Sequence, residues 1–299
     1  MLRGVDLFCG AGGFSAGLLD AGIDIVAAYD SWPLAVDTYN RNLPAHASVL
    51  DIGDVNQSVE QIVSHNPDLI VGGPPCQDFS SAGSRIEGER ANLTVAFSRI
   101  VGLCMPEFIL MENVPEGWKS KAYSFMREDL EGRGYTFAEV VLDASRCGVP
   151  QARKRFFSLG ALCDPTTSYV FLSWAKGSKS TDRLTVKEYL GEEIVVDFYY
   201  NPPRSYSRRA IFTVHEPAPT LRGVNRPVPP GYVRNHLDSA DPDQVRALYS
   251  WERSRIQTFP SDWEWFGGDR NTHAETLIGN AVPVNLARFV GQGLLWAIG

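Results

Sequence analysis

The chain is poor in residues that could build a metal centre or a disulfide framework. Its 299 residues include five histidines and five cysteines. Cys9, Cys76, Cys104, Cys147 and Cys163 are scattered and odd in number, with no CxxC pair and no histidine at zinc-ligand spacing. Neither a disulfide scaffold nor a metal site is expected, and each cysteine must be judged alone; Cys104, Cys147 and Cys163 read as small buried hydrophobes. No apolar run approaches the roughly 20 residues that cross a bilayer. The start, Met1-Leu2-Arg3-Gly4-Val5-Asp6, lacks the charged-then-apolar layout of a signal peptide. A cytoplasmic protein with no membrane contact is the expectation. Positive charge is in deficit: the formal net charge is -7, which argues against indiscriminate binding to a polyanion but not against a local basic face.

What is present is a large apolar fraction, 44% of residues, enough to bury a sizeable core. Val5–Phe8, Ile23–Ala28, Leu69–Val71 and Phe108–Met111 read as buried strands. Phe14–Ala21, Pro33–Arg41, Val55–Ser64, Asn92–Cys104 and Tyr123–Glu131 read as helices. This alternation predicts an α/β fold with a parallel sheet. After Gly160 the texture changes: Cys163–Arg183 is rich in Ser, Thr and Lys, and Asn201–Arg234 in Pro and Arg, without a clean period. From Ile278 a helical pattern returns, with Val284, Leu286, Ala287, Val290 and Leu294 on one face. The expected organisation is a catalytic domain of residues 1–160 plus 270–299 and a second, smaller domain of residues 161–269.

Two turns carry chemistry. Asp6-Leu-Phe-Cys-Gly-Ala-Gly-Gly-Phe14 sets Gly10, Gly12 and Gly13 between a strand and a helix, where a ligand can approach the backbone and free N–H groups. Such a turn serves NAD enzymes equally well. Asp30 ends the next apolar run, where a nucleoside-binding α/β domain sets an acid for ribose hydroxyls. In the second turn, Gly72-Gly-Pro-Pro-Cys76-Gln-Asp-Phe-Ser80, two prolines stiffen the approach to a cysteine at the C-terminal end of a buried strand. Glu112 ends the following strand, and Arg153 and Arg155 precede another, so a carboxyl and two guanidinium groups can converge on the same edge. Between Asn201 and His236, six arginines (204, 208, 209, 222, 226 and 234) face the single acid Glu216, which supplies a local basic face.

Taken in order, these motifs resemble those of the cytosine-5 DNA methyltransferase family: DLFCGAGGFSAG at 6–17, Asp30, Asp51-Ile52, GGPPCQDFS at 72–80, Arg90-Ala-Asn-Leu93, Glu112-Asn-Val, Gln151-x-Arg-x-Arg155 and Ile278-Gly-Asn-Ala-Val-Pro283. The resemblance implies a Rossmann-like S-adenosylmethionine-dependent methyltransferase sheet with a smaller target-recognition domain. It implies S-adenosylmethionine as cofactor, held by Phe8, Gly10, Gly13, Asp30, Asp51, Ile52, Pro74, Leu93, Asn280 and Val282. Ser31 stands between Asp30 and Trp32 where the family has an aromatic directly after the acid, which leaves open the residue that covers the adenine. The target-recognition region implied runs from about Leu162 to Thr220-Leu-Arg-Gly223, and DNA contacts fall to Gln77, Ser80, Arg85, Arg204, Arg208, Arg209, Arg222 and Arg226.

The implied chemistry is demanding. Carbon 5 of cytosine is too weak a nucleophile to attack a methyl sulfonium, so a nucleophile must first add to carbon 6. The resemblance gives that task to Cys76, stabilisation at ring nitrogen 3 to Glu112, and the base carbonyl, or support of Cys76 and Glu112, to Arg153 and Arg155. The cytosine must be flipped out of the duplex, and Ser80–Asn92 reads as a loop that closes over it. The partners expected are double-stranded DNA and, in a bacterial restriction–modification system, a cognate endonuclease acting separately, with the chain itself a monomer. An RNA cytosine-5 methyltransferase and a catalytically silent DNA-binding relative are the alternatives; the separate basic region argues against the first, and retention of Cys76, Glu112 and the glycines against the second.

Overall fold

The computed structural model describes residues 1–44, 46–75, 87–205, 208–266 and 271–299, with residues 87–92 by their backbone alone. Cys76, Gln77, Ser80 and Arg85 lie outside the described residues, as does most of the loop assigned to closure.

The chain folds as two compact units, the first comprising Met1–Leu142, Lys154–Lys179 and Ala287–Gly299 and the second Asp143–Arg153 and Ser180–Leu286. In the first, β1 (Arg3–Leu7), β2 (Asp24–Asp30), β3 (Ala47–Val49), β4 (Leu69–Gly72), β5 (Phe108–Asn113), β6 (Tyr135–Asp143) and β8 (Lys154–Leu162) form one sheet, in the order β3-β2-β1-β4-β5-β8-β6. The first five strands pair in parallel, but β8 runs antiparallel to β5, so the sheet is mixed rather than parallel throughout. The reversal has a local cause: the stretch between β6 and β8 is too short for the crossover that a parallel return requires.

Strand alternation sorts the side chains of β1. Val5 and Leu7 join Ile70, Ile109 and Met111 in a core that Phe97, Ile100 and Val101 of α4 (Glu87–Cys104) and Tyr123 and Met126 of α5 (Lys121–Glu131) complete. Asp6 faces the other side, towards α1 (Gly13–Ala21) and α2 (Pro33–Asn42). The helix predicted from Asn92 begins at Glu87, inside the stretch read as loop. The helix α3 (Val55–Val63) follows its expected limits closely.

The composition change after Gly160 does not mark the edge of the first unit, because α6 (Pro165–Gly177) is part of it: Trp174 packs against Phe289 with ring centroids 4.4 Å apart. Cys163 is exposed, not buried, where the chain leaves β8. By length and composition alone, Thr272–Ile298 could span a bilayer, contrary to the expectation from sequence. It comprises two helices, α9 (Thr272–Asn280) and α10 (Val284–Ile298), and Leu286, Ala287, Val290 and Leu294 are fully buried.

The second unit has little regular structure, which explains its lack of sequence period. Its sheet of β9 (Phe198–Tyr200), β10 (Ile211–Thr213) and β12 (Arg246–Ala247) has strands of two or three residues, and β7 (Gln151–Ala152) pairs in parallel with β11 (Ala218–Pro219). Beside an apolar cluster that includes Val186, Leu190, Tyr199, Leu221 and Ile256, side-chain polar networks hold it. Asp238 accepts from the N–H groups of Ala210 and Ile211, both at 2.9 Å, and from Tyr232 Oη at 2.7 Å. The buried Arg253 and Glu275, on α8 (Ser250–Ile256) and α9, form an ion pair, and Glu275 also accepts from Ser250 and Asn225. At Gly279 a Cβ would lie 2.2 Å from backbone atoms of Arg222 and Gly223.

Gly279→Ala sets a methyl group against backbone that cannot rotate away, and is expected to destabilise the protein by about 3 kcal/mol; Gly177→Ala, where a Cβ meets nothing within 4 Å, serves as the control, and equal urea midpoints for the two variants would contradict the packing. Burial raises the Asp238 carboxyl, but its N–H and O–H donors outweigh burial and hold it below its ordinary value. Its stabilisation is then fully present above the unfolded value, near 4, and fades as pH falls through the lowered folded value. The stability gap between wild type and Asp238→Asn should therefore be widest near neutral pH and close in acid; a gap independent of pH would rule this out.

Candidate active site

Because β1, β2, β4 and β5 are parallel, the loops after them share one edge of the sheet, where open α/β folds bind ligands. The turn after β1 is strained: Phe8 adopts φ 62°, a left-handed conformation that non-glycine residues rarely take. At Gly12, φ is 90° and a Cβ would lie 2.7 Å from Leu43 and 3.0 Å from Tyr39, so only glycine fits. A Cβ at Gly10, by contrast, would meet nothing within 4 Å, which leaves its backbone open to a ligand. Asp30 reaches back to this loop, its Oδ2 accepting from Gly10 N at 2.9 Å and its Oδ1 from Trp32 N at 2.8 Å. Burial raises the Asp30 carboxyl, and the N–H donors of Trp32 and Gly10 oppose that rise.

Behind the loop, Asp6 is almost fully buried and accepts a 2.6 Å hydrogen bond from Ser15 Oγ at the start of α1. Burial pushes it up to about 7, with repulsion from Asp30 adding to the shift. Sequence reading gave Asp6 no role; its polarity within an apolar strand was the available signal. Asp51 is exposed, with Oδ1 bonded to Gly53 N, and a Cβ on Gly53 would touch both Asp51 and Leu93, so these residues cluster beyond β3. Ile52 is buried in the sheet core.

The reversed β8 brings a cation to the same edge. Its register opposes Asn113 to Phe156 and Glu112 to Phe157, so Arg155 lies at the C-terminal end of β5. There Arg155 Nε contacts Glu112 Oε1 at 2.8 Å, each side chain 12% exposed. Burial lowers the guanidinium below its ordinary value, while Glu112 and then Glu116 favour its charge. The next residue, Asn113, is buried and donates from Nδ2 to the Pro74 carbonyl at 3.1 Å, while its Oδ1 accepts from Val114 N at 2.8 Å. The amide thus ties the Pro74-Pro75 approach to the Glu112 strand, a role that the motif contained but sequence reasoning did not assign. A Cβ on Gly73 would lie 3.3 Å from Glu112 Oε2, so that turn passes close to the carboxyl.

In the second unit Arg153 corrects its predicted role. It is 1% exposed, and its guanidinium donates to the carbonyls of Leu221 at 3.1 Å, Gly279 at 3.2 Å and Ala281 at 3.1 Å. A guanidinium so engaged is a positioning group, not one aimed at a base. Gln151 completes the arrangement, accepting from Leu221 N and donating to Gln257, which donates to Ile278 O. Exposed Asn280 and half-buried Val282 lie in the segment that Arg153 clasps. Among the basic residues, Arg209 is likewise engaged, bound to Ile211 O, Glu216 and Ser239 and stacked on Phe212. Arg204, Arg208 and Arg226 are exposed, and Arg222 is half-buried.

The sequence profile of the C-5 cytosine-specific DNA methylases matches residues 2–296. The type II methyltransferase M.HgiDI of Herpetosiphon aurantiacus is 46% identical over 294 residues, covering 98% of this chain and 94% of its own. M.HindV of Haemophilus influenzae is 44% identical over 301 residues, covering 98% and 96%. The crystal structure of the S. pombe Dnmt2 methyltransferase matches with a TM-score of 0.71 at 20% identity over 98% of each chain, a likeness of fold. The DNA-modifying enzyme expected from the motifs, rather than an RNA-modifying or silent relative, is thereby borne out. From the motif order, the mixed sheet and similarity along nearly its whole length, it follows that this chain belongs to the C-5 cytosine-specific DNA methylase family.

Proposed function

We propose that this DNA (cytosine-5-)-methyltransferase flips a cytosine out of duplex DNA and attacks it with Cys76. The observation that carries the reading is the Arg155–Glu112 pair at the edge where the Pro74-Pro75 turn ends, one residue before Cys76. In this mechanism Cys76 Sγ, as thiolate, bonds to carbon 6, and the electrons of the carbon 5–carbon 6 double bond move towards ring nitrogen 3, where Glu112 delivers or shares a proton. Arg155 fixes the Glu112 carboxyl and presents its remaining N–H donors to the base carbonyl. Carbon 5, now enamine-like, takes the methyl group. A base then removes the carbon 5 proton, the carbon 5–carbon 6 double bond re-forms and Cys76 Sγ departs.

The open backbone at Gly10 and the left-handed turn at Phe8 suit a nucleoside cofactor, with Asp30 as acceptor for ribose hydroxyls. S-adenosylmethionine, when bound, would supply an activated methyl group, its sulfur keeping the electron pair of the broken S–CH3 bond as a neutral thioether. Phe8, Gly10, Gly13, Asp30, Asp51, Pro74 and Leu93 are assigned to hold it, and Trp32, whose backbone N–H donates to Asp30 Oδ1, is assigned to cover the adenine. Ile52 backs the site from the core, and Asn280 and Val282 are carried over from the family motif. Gln77, Ser80 and Arg85 are assigned to DNA on the same basis. A restriction–modification role on bacterial DNA fits the type II names of the relatives; with it we assign a cytoplasmic location, a separate cognate endonuclease and action as a monomer.

Incubation with duplex DNA carrying 5-fluorocytosine, whose carbon 5 has no removable proton, should trap a covalent protein–DNA adduct that Cys76→Ala abolishes. An adduct that persists in Cys76→Ala, or its absence from wild type, would sink the proposed nucleophile; adduct formation on RNA instead would redirect the substrate. Glu112→Gln should lower kcat by roughly 100- to 10,000-fold while DNA affinity in a gel-shift assay changes little. An unchanged kcat would remove Glu112 from the chemistry.

A further inference from the structure

The six arginines of the basic segment are not equivalent. Arg209 is held by Glu216 and Ser239, and Arg234 pairs with Asp241, so both serve the fold. Arg204, Arg208 and Arg226 are exposed, the disposition of groups that meet phosphates from flexible side chains. Arg222 differs from all of these. Its backbone is fastened from several directions: Thr220 Oγ1 donates to Ala152 O at 3.0 Å, Leu221 N donates to Gln151 Oε1 at 3.0 Å, and Leu221 O accepts from Arg153. Arg222 O accepts from Arg253, Gly223 abuts α9 at Gly279, and Asn225 Nδ2 donates to Leu248 O at 2.7 Å and Glu275 Oε1 at 2.9 Å.

On this fixed ledge the Arg222 side chain gives one hydrogen bond to Pro202 O and pairs with no carboxylate among the described residues. A guanidinium carries five N–H donors, so most of the fork remains for a ligand. Burial, and then the nearby charge of Arg204, disfavour the cation. A rigid, acid-free guanidinium beside a second one needs an external acceptor, and its planar fork matches the O6 and N7 atoms of a guanine edge.

We propose that Arg222 reads a guanine of the recognition sequence through its major-groove edge, with Arg204 beside it on a neighbouring phosphate. This rests on the reading that the enzyme methylates a specific duplex sequence. Preorganisation makes Arg222 selective: a fork whose base cannot move tolerates no shift of the acceptor pair.

The test begins with the methylated sequence, obtained by bisulfite sequencing of DNA from cells expressing the chain; no methylation at all would strike the underlying reading and not this inference. Each guanine of the site is then replaced by 7-deazaguanine, which lacks the N7 acceptor, and methylation rates are compared for wild type, Arg222→Lys, Arg222→Ala and Arg204→Ala. At one guanine, wild type should lose roughly tenfold or more, and both Arg222 variants should lose no further rate there while still responding at other positions. Arg204→Ala should weaken binding to all sequences alike and reduce the salt dependence. Should Arg222→Ala not fold, Arg222→Lys, which keeps the charge and loses the fork, gives the same comparison. Retention of the full 7-deazaguanine penalty by the Arg222 variants, or insensitivity of wild type at every guanine, would overturn the assignment.

Discussion

A guanidinium buried in protein is costly unless its donors are satisfied, and the terminal Nη donors of Arg153 meet that condition only if two separate stretches of chain hold three carbonyls around them. Two of those carbonyls, of Gly279 and Ala281, belong to the end of α9, where a helix leaves acceptors without intrahelical partners. The third, of Leu221, lies at the start of the ledge that carries Arg222. One side chain therefore satisfies a helix terminus, anchors the ledge and fixes the turn through Asn280. Gln151 and Gln257 extend the same arrangement, and Gln257 and Thr258 pass it on by accepting from the first N–H groups of α10. The second unit, with strands of two or three residues, derives its definition from such polar contacts as much as from its apolar cluster.

The charge distribution divides along similar lines. A net charge of -7 coexists with DNA as substrate because positive groups are allotted individually. Arg153 and Arg253 are internal, Arg209 and Arg234 are neutralised by neighbours, and Arg155 is matched to Glu112. The count of arginines along the basic segment thus overstates the charge offered to DNA, since an arginine within reach of a carboxylate or several carbonyls is already committed.

The first unit was legible in the sequence because buried strands and amphipathic helices impose periods that survive without coordinates. The termini of β1, β2, β4 and β5 fell within a few residues of where apolar runs ended. The reversal of β8 was not legible: orientation depends on connection length and edge availability, and the apolar run of β8 reads the same in either direction. Arg153 and Arg155 illustrate a subtler limit. Two residues apart in one motif, they looked alike; the structure gives one to carbonyl oxygens and the other to a carboxylate. Asn113 was hidden for the opposite reason, since a buried amide that braces a turn resembles any polar residue at the end of a strand until its partner is known.

The close approach of Gly279 to the backbone of Arg222 and Gly223 leaves no room for even a methyl group, and this sets a reference height. Every side chain carried on that stretch keeps a constant offset from α9, so exchanging one residue there alters its chemistry without altering its level. The glycine is the datum from which each side chain of the ledge is measured.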